Sequence, residues 1–71
     1  MKYSARALEA KIMLNSQIEY IKEGYTNLEK YNRYVTVLEI INTKYYFGVI
    51  SNKTKEYMEL KVLNAYILSI D

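Results

Sequence analysis

The chain of 71 residues contains no cysteine and no histidine, and it has two glycines. It therefore has no thiolate or imidazole to bind zinc, to hold an iron–sulfur cluster or to act as a nucleophile or base. Two glycines cannot form a glycine-rich phosphate loop. No apolar run approaches the roughly 18 residues of a membrane span, and no secretory signal follows the first residues. These absences indicate a cytoplasmic protein that is not an enzyme, with no metal, no cofactor and no membrane partner.

The size and charge of the chain limit its possible folds and functions further. A chain this short forms one domain, residues 1–71, and buries only about 60% of its unfolded surface, so its core is thin. Ten lysines and arginines against eight acidic residues give a net charge of +2. That balance excludes an acidic mimic of DNA and favours a nucleic-acid binder only weakly.

Residues 4–32 have the periodicity of helices. Apolar residues recur every seven positions at Ala7, Leu14, Ile21 and Leu28. Gly24 follows Lys22-Glu23, where a left-handed glycine could end a helix. The spacing from Thr26 to Glu29 is that of a capping box. We therefore predict a long helix over 4–23 and a short one over 27–32, with a single helix through Gly24 as the alternative.

Residues 34–71 have a pattern typical of strands. Met58, Leu60 and Val62 alternate with polar positions, as in a strand with one buried face. The two preceding segments are apolar on both faces, which favours a curled sheet or a covering second copy. The predicted fold class is α+β, in which the N-terminal helical part packs on a four-stranded antiparallel, curled meander sheet.

Part of this pattern resembles a known family. The segments that carry the resemblance are Val35-Thr36-Val37, Tyr46-Phe47-Gly48-Val49-Ile50, Leu60 and Ile67-Leu68-Ser69-Ile70. Together they are similar to the strands of Sm-like and related SH3-like small β-barrels, which place a helix before a strongly bent sheet. The resemblance covers residues 26–71. It implies that Gly48 marks the bend of the second strand, and that the protein assembles into rings and binds RNA.

The nine tyrosines are the most unusual feature of the composition. Tyrosine is enriched at protein interfaces, and a thin core cannot bury nine rings with their hydroxyls satisfied. We expect the partner-binding residues to be Tyr3, Tyr20, Tyr31 and Tyr57. The leading hypothesis is a protein-binding module that inhibits or recruits a host protein, encoded by a phage or mobile element and comparable to an anti-CRISPR protein. The codon bias of an A/T-rich genome could also produce the tyrosines without selection for binding.

Two other functions fit the sequence. Lysines interleaved with aromatic residues are typical of surfaces that bind single-stranded nucleic acid, and the candidates are Lys44, Tyr46, Lys53 and Lys55. The third reading is a self-assembling structural protein. In it, the helix stripe of Leu14, Ile18, Ile21, Tyr25 and Leu28 serves a homodimer or larger homo-oligomer.

Overall fold

The computed structural model describes residues 5–70, with the side chains of residues 8, 9 and 11–70, and it folds into three α-helices. They are α1 (Ala5–Lys22), α2 (Asn27–Tyr46) and α3 (Asn52–Ser69). The connections are short, so successive helices run antiparallel, and α1 and α3 end where α2 begins. The bundle is long and flat, with extents of 40 × 23 × 14 Å.

The predicted α+β fold is wrong. No strand occurs between residues 5 and 70, and the segment predicted as a four-stranded meander forms most of α2 and all of α3. The resemblance to Sm-like and SH3-like barrels fails for the same reason. Val35, Thr36 and Val37 lie in the middle of α2. Tertiary packing has overridden the strand preference of β-branched and aromatic residues, which is a weak preference outside its context.

The start of α2 confirms the predicted capping box. The Glu29 backbone N–H donates to Thr26 Oγ1 at 3.1 Å, and Glu29 Oε1 accepts the backbone N–H groups of Tyr25 and Thr26. The helix break is also confirmed, since α1 ends at Lys22. The second helix continues to Tyr46, however, and does not end near residue 32. The sequence pattern thus predicts the start of α2 correctly but not most of its length.

Gly24 has a different role from the predicted left-handed cap. Gly48 alone among the described residues has a positive φ. Gly24 is buried, and a Cβ there would lie 2.9 Å from Lys30 Cγ and 3.1 Å from the Lys30 backbone nitrogen. A glycine is therefore required at this position, because the first turn of α2 approaches too closely to leave room for a Cβ.

Gly48 ends α2 and turns the chain into α3. Its φ is +75°. Its N–H donates to the Tyr45 carbonyl at 3.0 Å, and the Val49 N–H donates to the Lys44 carbonyl at 2.9 Å. This pair of bonds is a Schellman motif, which satisfies carbonyls left free at a helix end. The predicted bend of a β-strand at Gly48 is therefore a helix terminus.

The polar segment of residues 51–54 forms the start of α3. Ser51 is the N-cap residue, and its hydroxyl accepts the Thr54 N–H at 3.1 Å. Serine is a favoured N-cap because its side chain satisfies one of the free N–H groups of the first turn.

The core is a single cluster shared by all three helices and the second loop. Its buried members are Leu14, Ile21, Val37, Ile41, Ile50, Met58 and Val62. On α3 the alternation that suggested a strand does not describe burial, because Leu60 is 60% exposed between Met58 and Val62. Those two lie four residues apart, on one face of a helix.

Candidate binding surfaces

The described part of the chain exposes more large hydrophobic side chains than it buries. Fourteen are exposed, against seven in the core. Scattered exposed hydrophobic residues are normal on soluble proteins, whereas contiguous patches mark interaction sites. Two surfaces combine some of these residues with their neighbours. One lies between α2 and α3, where Leu60 and Ile67 adjoin half-buried apolar side chains, and the other lies at the loop that joins these helices.

The first surface is a shallow open groove between α2 and α3, called here the α2–α3 groove. Its lining residues are Tyr34, Leu38, Glu56, Glu59, Leu60 and Leu63. The floor is apolar, and the two glutamates lie on its α3 side. Ile67, which is 52% exposed, follows Leu60 by two turns and Leu63 by one, so it extends the same stripe of α3. The groove thus has the spacing of a surface that receives a helix.

A stack of tyrosines adjoins this groove, and Tyr34 belongs to both. The Tyr34 and Tyr66 rings are parallel, with centroids 4.6 Å apart, and the Tyr31 ring lies 6.3 Å from that of Tyr66 at a tilt of 58°. Burial raises the pKa of the Tyr34 hydroxyl above its ordinary value, and the Glu59 carboxylate and the Tyr66 and Tyr31 hydroxyls raise it further. Tyr34 therefore joins α2 to α3 through its stacked ring, and the surroundings of its hydroxyl favour the neutral form.

The second surface is formed by the end of α2, the loop after it and the first turn of α3. We call it the aromatic tip, and its members are Lys44, Tyr45, Tyr46, Phe47, Val49, Lys53 and Lys55. Tyr46 is 79% exposed and Phe47 is 72% exposed, and their rings meet edge to face at 5.2 Å. Because the Schellman motif fixes the backbone here, these rings project from a defined turn.

The charges of the aromatic tip are all positive. The sequence contains no acidic residue from 40 to 55. Lys55 pairs with Glu59 at 3.1 Å, and its Nζ lies 5.5 Å from the centroid of the Tyr45 ring. Lys44 and Lys53 form no ion pair within residues 5–70. Two unpaired cations thus flank the exposed rings.

At the opposite end of the bundle, charged side chains compensate the partial charges of the helix ends. Lys30 Nζ donates to the Ser69 carbonyl in the last turn of α3. Arg33 Nη1 donates to the Tyr20 carbonyl near the end of α1, at 2.6 Å. Glu29 lies in the first turn of α2. Each of these charges opposes the partial charge of the helix end that it meets.

Three of the four tyrosines predicted to bind a partner are described by the structure, and each of them lies on a different helix. Tyr20 is 41% exposed on α1, with Arg33 over its ring. Tyr31 is 49% exposed on α2, and its ring lies near that of Tyr66 on α3. Tyr57 is 50% exposed near the start of α3, with Lys61 Nζ 5.6 Å from its ring centroid. Tyr3 lies outside the described residues. A role for these residues in binding stays a prediction.

The four residues predicted to bind nucleic acid, in contrast, lie at one end of the bundle. Lys44 and Tyr46 are in the last turn of α2, and Lys53 and Lys55 are in the first turns of α3. The short loop between the helices places them all in the aromatic tip.

Sequence reasoning missed the apolar stripe of α3. Leu60, Leu63 and Ile67 are spaced by three and four residues, which is a helical signal. It was hidden by the alternation of Met58, Leu60 and Val62. The stripe predicted for self-association is not a continuous face of one helix. Ile21 is fully buried in α1, whereas Tyr25 is 93% exposed in the loop after α1, and Leu28 lies in α2.

Neither a metal cluster nor a membrane span is found in the part of the chain that the structure covers. Among residues 5–70, no three residues of the types His, Cys, Asp and Glu are grouped to hold a metal ion. None of the three helices there combines the length and apolar character needed to cross a membrane.

Comparison with known proteins gives no match. Neither a protein-family model, nor a curated protein, nor a solved structure is similar to the chain.

Proposed function

We propose that the protein is a non-catalytic binding module that acts in the cytoplasm by receiving an amphipathic helix of a partner protein in the α2–α3 groove. The observation that carries this proposal is the apolar floor of Leu38, Leu60 and Leu63, continued by Ile67 along the same face of α3. A helix presents apolar residues at the same three- and four-residue spacing, so its ridge fits a groove between two helices.

The chemistry of the partner helix follows from the groove. Its apolar face needs leucine- or isoleucine-sized side chains to cover Leu60 and Ile67. Glu56 is exposed on the α3 side of the groove, where its carboxylate accepts a long hydrogen bond of 3.4 Å from Asn52. A lysine or arginine on the partner would find this carboxylate, which favours one orientation of the bound helix.

The test is retention of a partner by matched surface variants. The immobilised wild-type protein, a Leu60→Glu variant and a Leu28→Glu variant are incubated with a lysate of the source cell. Leu28 is a suitable control because it is 68% exposed and does not line the groove. We expect a stoichiometric partner on the wild type and on Leu28→Glu, and its loss from Leu60→Glu.

Reconstitution then decides whether the groove is the site. The purified partner, or a peptide of its helix, should bind in a one-to-one complex that perturbs the NMR signals of Leu38, Leu60 and Leu63. Perturbations confined to other surfaces would contradict the proposal. A concentration-dependent dimer of the protein alone, abolished by Leu60→Glu, would assign the groove to a second copy of the chain instead.

A further inference from the structure

We infer that the aromatic tip docks on the surface of an anionic lipid bilayer, with Tyr46 and Phe47 in the interfacial region and Lys44 and Lys53 against the headgroups. This is a second surface, and the inference does not rest on the function proposed for the α2–α3 groove. The following observations carry the inference.

The first observation is that the tip exposes a contiguous aromatic surface on a fixed turn. Tyr46, Phe47 and Val49 are 79%, 72% and 38% exposed. The two hydrogen bonds of the Schellman motif and the positive φ of Gly48 hold this turn in place. A fixed turn loses little conformational entropy on binding. Tyrosine and phenylalanine rings are well suited to the boundary between headgroups and acyl chains.

The second observation is that Lys53 lies where the fold itself disfavours positive charge, whereas Lys44, in the last turn of α2, lies where a helix end favours a cation. Lys53 is in the first turn of α3, which has no acidic residue, although the partial positive charge of a helix start favours acidic residues there. At the same end, α1 contributes charges of both signs, Glu9 and Lys11. The charges at the other end of the bundle oppose their helix dipoles. An anionic partner at the tip would relieve the repulsion between Lys53 and the partial positive charge at the start of α3.

The third observation distinguishes a lipid surface from nucleic acid. Successive bases of a single strand stack on rings that offer open, roughly parallel faces, whereas the Tyr46 and Phe47 rings are inclined by 82° and meet edge to face. Two unpaired lysines also provide few phosphate contacts, which supply most of the affinity of nucleic-acid binding. The bilayer interface imposes no such ring geometry and takes up the aliphatic Val49 as well.

The test is co-sedimentation with vesicles. The full-length protein is mixed with vesicles of phosphatidylcholine and with vesicles that also contain phosphatidylglycerol. We expect binding to the anionic vesicles and a loss of about five-fold in the partition coefficient for each of Lys44→Gln and Lys53→Gln. The double variant Tyr46→Ser/Phe47→Ser should lose at least about ten-fold.

The matched control is the double variant Tyr25→Ser/Leu28→Ser. It removes an aromatic and an aliphatic side chain that are 93% and 68% exposed, both at the end of the bundle away from the tip. We expect it to bind vesicles like the wild type. An equal loss in this control would overturn the proposal, because it would show that any exposed apolar pair contributes.

A fluorescence measurement does not depend on the removal of rings. The chain has no tryptophan, so a Phe47→Trp variant carries a single probe at the tip. We expect a blue shift of its emission on addition of anionic vesicles and protection from an aqueous quencher. An unshifted spectrum, or binding to single-stranded DNA at low salt with no binding to vesicles, would refute the lipid assignment.

Discussion

The Arg33 guanidinium of α2 binds Tyr20 of α1 in two ways at once. Its Nη1 donates to the Tyr20 carbonyl at 2.6 Å, and its central carbon lies 4.4 Å from the centroid of the Tyr20 ring. The first contact satisfies a carbonyl near the C-terminus of α1, where a cation is favourable. The second adds a cation–π interaction. One side chain therefore fixes the end of α1 against α2, whereas the tyrosine stack joins α2 to α3.

Replacement of Arg33 should destabilise the bundle through both contacts. We expect Arg33→Ala to lower the free energy of unfolding by about 1–2 kcal/mol. Arg33→Lys should lose less, because lysine keeps the charge. Urea denaturation measures the difference, and a double-mutant cycle with Tyr20→Ala separates the ring from the carbonyl. Strict additivity in that cycle would show that the cation–π contact contributes nothing.

Gly48 should be sensitive to substitution because of its backbone conformation alone. A Cβ at this position would have no neighbour within 4 Å, and φ is +75°. We expect Gly48→Ala to cost about 1–2 kcal/mol of stability. Gly48→Asn should cost less, since asparagine tolerates the left-handed region. Equal thermal stability of the alanine variant and the wild type would contradict the Schellman motif.

At Gly24 the order of the alanine and asparagine variants in stability should be the opposite of that at Gly48, because the constraint at Gly24 is steric. The Cβ of Gly24→Ala would lie 2.9 Å from Lys30 Cγ, and we expect a loss of about 1–3 kcal/mol from this overpacking. Gly24→Asn should be worse than alanine, in contrast to the order at Gly48. The measurement is the same denaturation series at both positions. A milder effect of asparagine at Gly24 would indicate a conformational constraint instead.

Tyr34 should make the stability of the fold fall at alkaline pH. Its pKa is raised above the ordinary value of 10.0, so the folded state holds the proton more tightly than the unfolded state. The resulting contribution is fully present below pH 10.0 and is lost as the pH rises through the folded-state pKa. We expect Tyr34→Phe to lack this part of the decline between neutral and alkaline pH.

The Tyr34 prediction is checked by denaturation midpoints of both proteins on either side of that pH. Near pH 7 the hydroxyl is protonated in both states, so it contributes no pH-dependent difference there. Identical slopes of stability against pH for the wild type and Tyr34→Phe would show that Tyr34 does not titrate differently on folding.

The sequence predicted the start of the fold better than its continuation. The capping box of Thr26 and Glu29 was recognisable because it depends on residues three apart, and the structure contains it. The helix that follows was cut short because Val35, Thr36 and Val37 have high strand propensity. Tyr34, Val37 and Ile41 nevertheless have helical spacing, and Val37 and Ile41 are buried in the core. Burial of that face outweighs the propensity of individual residues.

The same contrast holds for the two candidate surfaces, since the sequence indicated one of them and not the other. The lysines and aromatic residues of the tip were recognisable from their interleaving along the chain. The α2–α3 groove was not, because Leu38 and Leu60 come together only when two helices pack. A predicted sheet also placed Leu60 with Met58 on one face, whereas the helix buries Met58 and exposes Leu60.

The sequence by itself determined the absence of cysteine and histidine chemistry, the break between the first two helices and the lysine–aromatic composition of residues 44–55. These are properties of residue types and of contacts within one turn of chain. The tertiary structure decided between strands and helices for residues 34–69, since an apolar pattern with mixed two- and three-to-four-residue spacing fits either. It also decided which apolar residues remain on the surface. Among the residues that the structure describes, packing three helices around seven buried side chains leaves fourteen large hydrophobic ones exposed. Only the geometry of the bundle gathers some of them, with half-buried neighbours, into a groove and a tip.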